Sequence, residues 1–396
     1  MQTAVIVDAV RTPSGRGKPG GALSTVHPVD LTALMLTSLL ERNGLESGQI
    51  DDVLLGCVGQ IGDQSTNIAR NAVLAAGFDE QVPATTIDRQ CGSSQQAAHF
   101  AAQGVMAGAY DIVIAGGVES MSRVPLGSSA AGGSPTSPRL RGRYPEGLVN
   151  QGIAAELIAA KWGFDRAELD AFSARSHRRA AEAAADGRFS RELVPVPLAE
   201  DGAIREHAVD ETVRASTTPE TLAGLPSSFR DQWAEARFPQ IAWGITAGNS
   251  SPLTDGASAV LIMSEQRAAE LGIVPRARFH SFAVTGDDPL YMLTGPIPAT
   301  RRILERSGLS MADLDAYEVN EAFAPVPLAW ARELDADPER LNPWGGAIAL
   351  GHPLGASGTR LLGTMLSYLE ATGGRYGLQT MCEGGGMANA TIIERL

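Results

Sequence analysis

Short apolar segments alternate with amphipathic ones near both ends of the chain. In residues 1–118 the segments AVIVDAV, VLLGCV and DIVIAGG have the length and composition of buried β-strands. In residues 276–396 the segments ARFHSFAV, AYEVN and YGLQTM have the same character. Strands that alternate with helices predict an α/β fold, in which sheets are covered by helices.

A helix is predicted directly after Cys91, in the stretch IDRQCGSSQQAAHF. The apolar positions between Gln95 and Met106 are spaced close to the helical period. Ser93 and Ser94 are the expected caps of this helix. The pattern therefore predicts a thiol at a helix amino terminus, surrounded by small residues.

The chain also repeats itself. LERNGL in residues 40–45 matches LERSGL in residues 304–309 at an offset of 264 residues. A second match, YDIVIAGG with RYGLQTMCEGGG, aligns Tyr110 with Tyr376 at an offset of 266 residues. Two matches at nearly the same offset indicate a duplicated α/β unit.

The segment between the copies has a different composition. SSAAGGSPTSPRLRGRYP predicts a loop, and GIAAELIAAKWGF with AFSARSHRRAAEAAA predicts helices, before SAVLIMS at 258–264 returns to the core. We predict an N-terminal half at 1–118 that also includes 249–275, and an inserted domain at 119–248. The C-terminal half is then 276–396. An insertion on a duplicated scaffold often builds a binding surface.

Composition narrows the class of protein. The 396 residues include 44% hydrophobic and 19% charged residues, a globular balance. The net charge of −13 argues against nucleic-acid binding, which relies on a basic surface. Cys57, Cys91 and Cys382 have no CxxC or metal-ligand spacing, so neither a disulfide framework nor a metal site is predicted.

The amino terminus and the hydropathy pattern predict a cytoplasmic protein without a membrane segment. MQTAVIVDAVRTP lacks the basic and long apolar regions of a signal peptide and is typical of a first strand. No apolar run approaches the roughly 20 residues needed to span a bilayer.

Two candidate residues combine into an activated thiol. Only about a few per cent of a free thiol is ionised at neutral pH, but a helix amino terminus stabilises the thiolate. His352, in WGGAIALGHPLGASGTR, is held between glycine-rich turns and is a candidate base for Cys91. A buried core cysteine and a loop histidine that satisfies local hydrogen bonds are the alternatives.

Three further positions have chemistry to offer. Asn320 lies at the end of a predicted strand in VNEAFAPVPLAW, where an amide either holds a water or forms a turn. Cys382 precedes the glycines of MCEGGGMANA, where exposed N–H groups are typical of an oxyanion hole, unless the glycines serve packing alone. Ser251, in GITAGNSSPLTDG, either contacts a ligand amide or belongs to a tight turn.

Taken together, these stretches resemble the thiolase family, and the resemblance covers essentially the whole chain. The motifs occur in the family's order: VIVDAVRTPSG, RQCGS, TAGNSS, NEAFA, GGAIALGHPLGASGTR and CEGGGMANA. The resemblance implies a thiolase fold, a duplicated αβ unit in five αβαβα layers with an inserted loop domain over the site. It implies an acyltransferase, a homodimer or homotetramer, with coenzyme A as co-substrate and no bound cofactor or metal.

The resemblance also implies a role for each candidate residue. Cys91 is the nucleophile that is acylated, His352 its base, and Cys382 the acid or base at the α-carbon. Asn320 holds a water that forms one oxyanion hole with His352, and the N–H groups of Cys91 and Gly384 form the other. Ser251 contacts the pantetheine arm of coenzyme A. The implied reaction is thiolytic cleavage of a 3-ketoacyl-CoA to acetyl-CoA or propionyl-CoA and a shortened acyl-CoA, or the reverse Claisen condensation.

Departures from the family pattern point to a degradative enzyme for longer, branched or ring-derived chains, as in fatty-acid or steroid breakdown. Ser94, Glu383 and Ala388 stand where relatives often differ, and Gln151 stands where short-chain members often have methionine. A non-catalytic acyl-CoA-binding subunit, a cysteine hydrolase and an acetoacetyl-CoA-specific condensing enzyme are the alternatives. The candidate contacts of the coenzyme A phosphates, or else an exposed basic face, are Arg139, Arg141, Arg143, Arg178, Arg179 and Arg188.

Overall fold

Strands and helices alternate through both predicted copies in the computed structural model, which describes residues 2–200 and 203–396. In chain order the strands are β1 Ala4–Arg11, β2 Gly15–Arg16, β3 Asp52–Gly56, β4 Ala84–Ile87, β5 Ile112–Ser120, β6 Val196–Glu200, β7 Ala203–His207, β8 Thr254–Ser264, β9 Ala277–Gly286, β10 Ala316–Val319, β11 Tyr376–Glu383 and β12 Met387–Arg395. The helices are α1 Pro28–Asn43, α2 Ile68–Ala75, α3 Ser93–Met106, α4 Pro138–Arg143, α5 Gln151–Trp162, α6 Arg166–Ala185, α7 Pro219–Ala223, α8 Gln232–Arg237, α9 Glu265–Leu271, α10 Pro296–Ser307, α11 Pro325–Leu334, α12 Ala347–Leu350 and α13 Ser357–Thr372. In the described ranges no helix is long and apolar enough to cross a bilayer.

The strand order repeats between the two ends of the chain. One part of the main sheet has the order β3-β5-β8-β1, with β4 beyond β3, and the other has the order β10-β11-β12-β9. In both parts the first pair is parallel and the second antiparallel. The two parts are joined where β1 pairs with β9, through Val5 opposite Arg278 and Ile6 opposite Ala277. This equivalence supports the predicted duplication.

The matching LERNGL and LERSGL segments have the same local structure. Each ends a helix, α1 or α10, at a glycine with a left-handed backbone, where Gly44 has φ 62° and Gly308 has φ 72°. A side chain is disfavoured at such a φ, so glycine ends both helices. A short 3₁₀ turn then leads into β3 or β10 in each copy.

Three helical layers separate and cover the two parts of the sheet. Helices α1 and α2 pack on the outer face of the first part. Helices α3 and α13 lie between the parts, and their apolar side chains share one core with both. Helices α10 and α11 pack on the outer face of the second part. The order is α-β-α-β-α, as the resemblance implies.

The segment between the copies is helical, as predicted, with α5 and α6 packed against the core of the second part. The loop interpretation of SSAAGGSPTSPRLRGRYP was wrong for its second half, which contains α4. Ser137 caps this helix by accepting a hydrogen bond from the Leu140 N–H, and Pro138 occupies its first position. Both residues favour a helix start, so the Ser-Pro pair was the overlooked signal. The boundaries at 118, 248 and 276 stay predictions.

Candidate active site

Cys91 lies in a tight turn between β4 and α3. Gln90, directly before it, has a left-handed backbone with φ 49°. The predicted caps were wrong, because Gly92 is the N-cap and both serines lie in the first helical turn. The Ser93 hydroxyl instead braces the turn, since it donates to the Gln90 carbonyl at 2.6 Å and accepts from the Arg89 N–H at 2.9 Å.

His352 is held with one ring nitrogen engaged and the other directed at the site. Its Nδ1 lies 2.6 Å from the Ser357 Oγ, and that hydroxyl donates to the Pro353 carbonyl at 2.9 Å. Because the single hydroxyl proton goes to the carbonyl, Nδ1 is the donor in the first contact. The Nε2 atom therefore carries the free lone pair of a base.

Asn320 connects this imidazole to the second thiol. Its Nδ2 lies 3.4 Å from the His352 Nε2 and 3.8 Å from the Cys382 Sγ. Cys382 lies one residue before the end of β11, and its sulfur also accepts from the Ala322 N–H. The Cys91 thiol lies close enough to Cys382 that a negative charge on Cys382 raises the pKa of Cys91. All four predicted residues thus meet in one place, and all are buried.

Burial decides the protonation of both thiols. Burial raises the pKa of Cys91 well above its ordinary value, and negative charge on Cys382 or Glu383 raises it further. Burial also raises the pKa of Cys382 to about 12, although the Asn320 amide acts in the opposite direction. Desolvation of the thiolate outweighs the stabilisation that the helix amino terminus gives it. Cys91 needs a base.

We expect His352 to stay uncharged between pH 8 and pH 5. Burial, and then the Arg360 charge, lower its pKa to about 3. An unfolded chain takes up this proton near pH 6.5, so the stability that neutral His352 contributes is lost as pH falls from about 6.5 towards 3. The check is an NMR titration of the ring Cε1–H signal, assigned with His352→Asn. A midpoint above pH 5 would contradict the expectation.

A cavity of about 990 Å³ adjoins this site at His352. His352, Ser251 and Gly384 line it, and much of the remaining lining is apolar. Both the N–H and the hydroxyl of Ser251 bond to the Ala322 carbonyl, at 3.0 and 3.1 Å. Ser251 thereby joins the TAGNSS turn to the NEAFA turn, and its oxygen keeps free acceptor capacity towards the cavity.

Glu119 is a residue that sequence reasoning missed. It is buried at the end of β5 and accepts four hydrogen bonds, from the N–H groups of Val58, Gly59 and Gly355 and from the Gln64 amide, at 2.8–3.0 Å. Burial raises its pKa, and these donors oppose the shift. The Glu119 carboxylate therefore fixes two loops of the cavity wall, including the one that follows His352. A polar residue at a strand end was the available signal.

The predicted phosphate contacts do not line the cavity, and no arginine occurs among the described lining residues. Arg179 is structural, since it bonds to the Leu341 carbonyl at 2.7 Å and to Glu339 at 2.7 Å. Arg178 and Arg188 lie beside acidic neighbours on the surface, at 3.8 and 3.7 Å. Arg178 and Arg188 thus lie on the exposed surface, whereas Arg179 is held within the protein.

Comparisons with known proteins agree with this architecture. The model of the thiolase N-terminal domain matches residues 4–266, and that of the thiolase C-terminal domain matches residues 273–395. A steroid 3-ketoacyl-CoA thiolase of Mycobacterium tuberculosis is 49% identical over all of this chain and 95% of its own length. A 3-ketoacyl-CoA thiolase of Klebsiella pneumoniae is 44% identical over the full length of both chains.

A solved structure shows the same fold. The crystal structure of a Bacillus anthracis acetyl-CoA acetyltransferase superimposes with a TM-score of 0.89 at 38% identity, covering 100% of this chain and 99% of the other. The chain belongs to the thiolase family. The predictions of a thiolase fold and of an acyltransferase of thiolase type are confirmed.

Proposed function

We propose that this chain cleaves a ring-derived 3-ketoacyl-CoA with free coenzyme A, through an acyl group carried on Cys91. The observation that carries the proposal is the Asn320 amide, whose Nδ2 contacts both the Cys382 Sγ and the Nε2 of His352, a residue that lines the cavity. A hydrolase needs one thiol and one base, whereas breaking a carbon–carbon bond needs a second group to protonate the carbanion. This site supplies that second group.

In the first half of the cycle, His352 takes the Cys91 proton on Nε2 and the thiolate attacks the 3-keto carbon. The bond between C2 and C3 then breaks, and its electron pair stays on C2 as the enolate of acetyl-CoA or propionyl-CoA. Cys382 gives its proton to C2, and the product leaves. The acyl group remains on Cys91 as a thioester.

In the second half, the thiol of free coenzyme A gives its proton to the Cys382 thiolate and attacks the thioester carbon. Cys91 departs and recovers its proton from His352, so all protons balance. The N–H groups of Cys91 and Gly384 stabilise the oxyanion of acyl transfer, and Asn320, through a water and with His352, stabilises the enolate oxygen. Each such donor contributes about 3–4 kcal/mol to lowering the barrier.

Coenzyme A is a co-substrate in this scheme, and no metal or resident cofactor takes part. Ser251 is proposed to accept a hydrogen bond from an amide of the pantetheine arm through its free lone pair.

We further propose a cytoplasmic homodimer or homotetramer. The position of β4 at the end of the strand order, with partly exposed residues, supports association through that edge.

The size and lining of the cavity support a bulky acyl group. Its wall includes the apolar side chains of Leu126, Phe229 and Met292, with Gln151 as a polar group among them. A ring that carries an oxygen substituent would satisfy both the apolar wall and the Gln151 amide. The steroid thiolase is also the most identical of the relatives described above.

We expect thiolysis of fused-ring 3-ketoacyl-CoAs to exceed that of acetoacetyl-CoA by at least about tenfold in kcat/KM. The measurement follows loss of the 3-ketoacyl absorbance across straight, branched and ring-containing substrates. Gln151→Met should lower kcat/KM about tenfold for an oxygenated ring and little for a straight chain. Acetoacetyl-CoA as the best substrate would favour the condensing enzyme instead. No activity with any substrate, in folded protein that binds acyl-CoA, would favour a non-catalytic subunit.

A further inference from the structure

The Glu383 carboxyl is buried beside the reactive thiols. Glu383 directly follows Cys382 at the end of β11 and has 0% of its surface exposed. Within residues 2–200 and 203–396, neither of its carboxylate oxygens has a hydrogen-bond partner. The similarly buried Glu119 accepts four hydrogen bonds. Burying a carboxyl without a hydrogen-bond partner lowers the stability of the folded protein, so the presence of Glu383 at this position needs an explanation.

This carboxyl occupies the space behind Cys91. A Cβ atom built on Gly92 would overlap the Glu383 Oε1 and would lie 2.8 Å from the Asn389 Nδ2. The same Asn389 Nδ2 donates to the Gly92 carbonyl at 3.0 Å. Glu383 and Asn389 therefore form the floor under the Cys91–Gly92 backbone, in a space that exists because position 92 has no side chain.

Several charged or titratable groups surround this floor. Burial raises the pKa of Glu383, the Arg89 charge lowers it and the Asp88 charge raises it, and together they bring it to about 8. His99, on α3, stays neutral because burial lowers its pKa to about 3. The charged or titratable groups that interact with Glu383 are Asp88, Arg89, Cys91 and Cys382. A negative charge on Glu383 raises the pKa of Cys91, so the two groups are electrostatically linked across this space.

We propose that Glu383 is a positioning residue that controls the Cys91 thiol. While uncharged, its carboxyl supports the Cys91–Gly92 backbone and leaves the thiol free to ionise when His352 takes its proton. Once charged, it holds Cys91 protonated and stops acylation. The consequence of this control for catalytic turnover rests on the proposed function. The effect of the Glu383 charge on the reactivity of the Cys91 thiol is independent of that function. Glu383 thereby sets an alkaline limit on the reactivity of the nucleophile.

The test is the rate at which iodoacetamide alkylates Cys91 between pH 6 and pH 10, in wild type and in Glu383→Gln. Mass spectrometry of the Cys91 peptide measures it without coenzyme A, so failure of the thiolase mechanism would not affect the result. At pH 6 the two rates should agree within about twofold. At pH 9 the Gln variant should react about tenfold faster, because one pKa unit is tenfold in thiolate.

Identical alkylation rates in wild type and Glu383→Gln at every pH would overturn the proposal. A ratio of the two rates that stays constant with pH would also overturn it, because a structural change alone would give such a ratio. Glu383→Asp retains a titrating carboxyl and should keep the alkaline suppression. Glu318→Gln is the matched control, since Glu318 is also buried with an unpartnered oxygen, and its profile should follow wild type.

Should Glu383→Gln not fold, Asp88→Asn replaces it, because Asp88 is exposed. Removing the Asp88 charge lets Glu383 ionise more easily, so suppression of Cys91 alkylation should begin at a lower pH than in wild type. An unchanged profile in Asp88→Asn would count against the proposal.

Discussion

Cys91→Ser is expected to reduce kcat for thiolysis by at least about 10⁴-fold without unfolding the protein. The hydroxyl fits the space of the thiol, but it is far less acidic, and the neutral His352 base is too weak to ionise it. Burial already raises the pKa of the Cys91 thiol, so a less acidic hydroxyl in the same place is ionised even more rarely. The measurement is loss of the 3-ketoacyl absorbance, together with mass spectrometry for an acyl group on the Cys91 peptide.

Cys57→Ala is the control for this experiment. Cys57 is equally buried, but it packs in the core under α1 and α2 and donates its N–H to the Ile87 carbonyl. This variant should keep kcat within about threefold of wild type, although cavity formation lowers its stability. More than about 1% residual turnover in Cys91→Ser would contradict the assignment of Cys91 as the acylated residue.

The strand pattern and the repeat were sufficient to predict the layers of the fold. Apolar segments of strand length appear at β1, β3, β5, β9, β10 and β11, and the repeated helix end at Gly44 and Gly308 predicted two equivalent units. These features are local, so the sequence displays them directly. The pairing of β1 with β9, which joins the two units, depends on tertiary packing and had no local signal.

The meeting of Cys91, His352, Asn320 and Cys382 was predictable only through the family resemblance. The four positions are spread over nearly 300 residues, and no spacing rule brings them together. Their protonation was not predictable at all, because it depends on burial. The helix amino terminus behind Cys91 was visible in the sequence, but the burial that outweighs it appears only in the fold, where Met121, Leu354 and Leu361 pack with Cys91.

The environment of Cys382 suits a proton donor to a carbanion better than a nucleophile. Burial raises its pKa to about 12, so the thiol is protonated when the enolate forms. The Asn320 amide and the Ala322 N–H both point at the sulfur and partly stabilise the thiolate that remains after the proton leaves. A group that must first give and then recover one proton needs both properties.

Cys382→Ser is therefore expected to lower kcat for thiolysis about 10³-fold, while acylation of Cys91 by a saturated acyl-CoA slows by less than about tenfold. Transfer of an acyl group between two thiols breaks no carbon–carbon bond, and Cys382 only returns a proton there to the departing coenzyme A thiolate, which is a far more stable anion than the C2 carbanion. Serine is a much weaker acid than cysteine, so the step that protonates C2 is slowed far more than acyl transfer. Mass spectrometry of the acylated Cys91 peptide measures the first process, and 3-ketoacyl absorbance the second. Equal loss of both would mean that Cys382 acts through the structure of the site, and loss of neither would support the hydrolase.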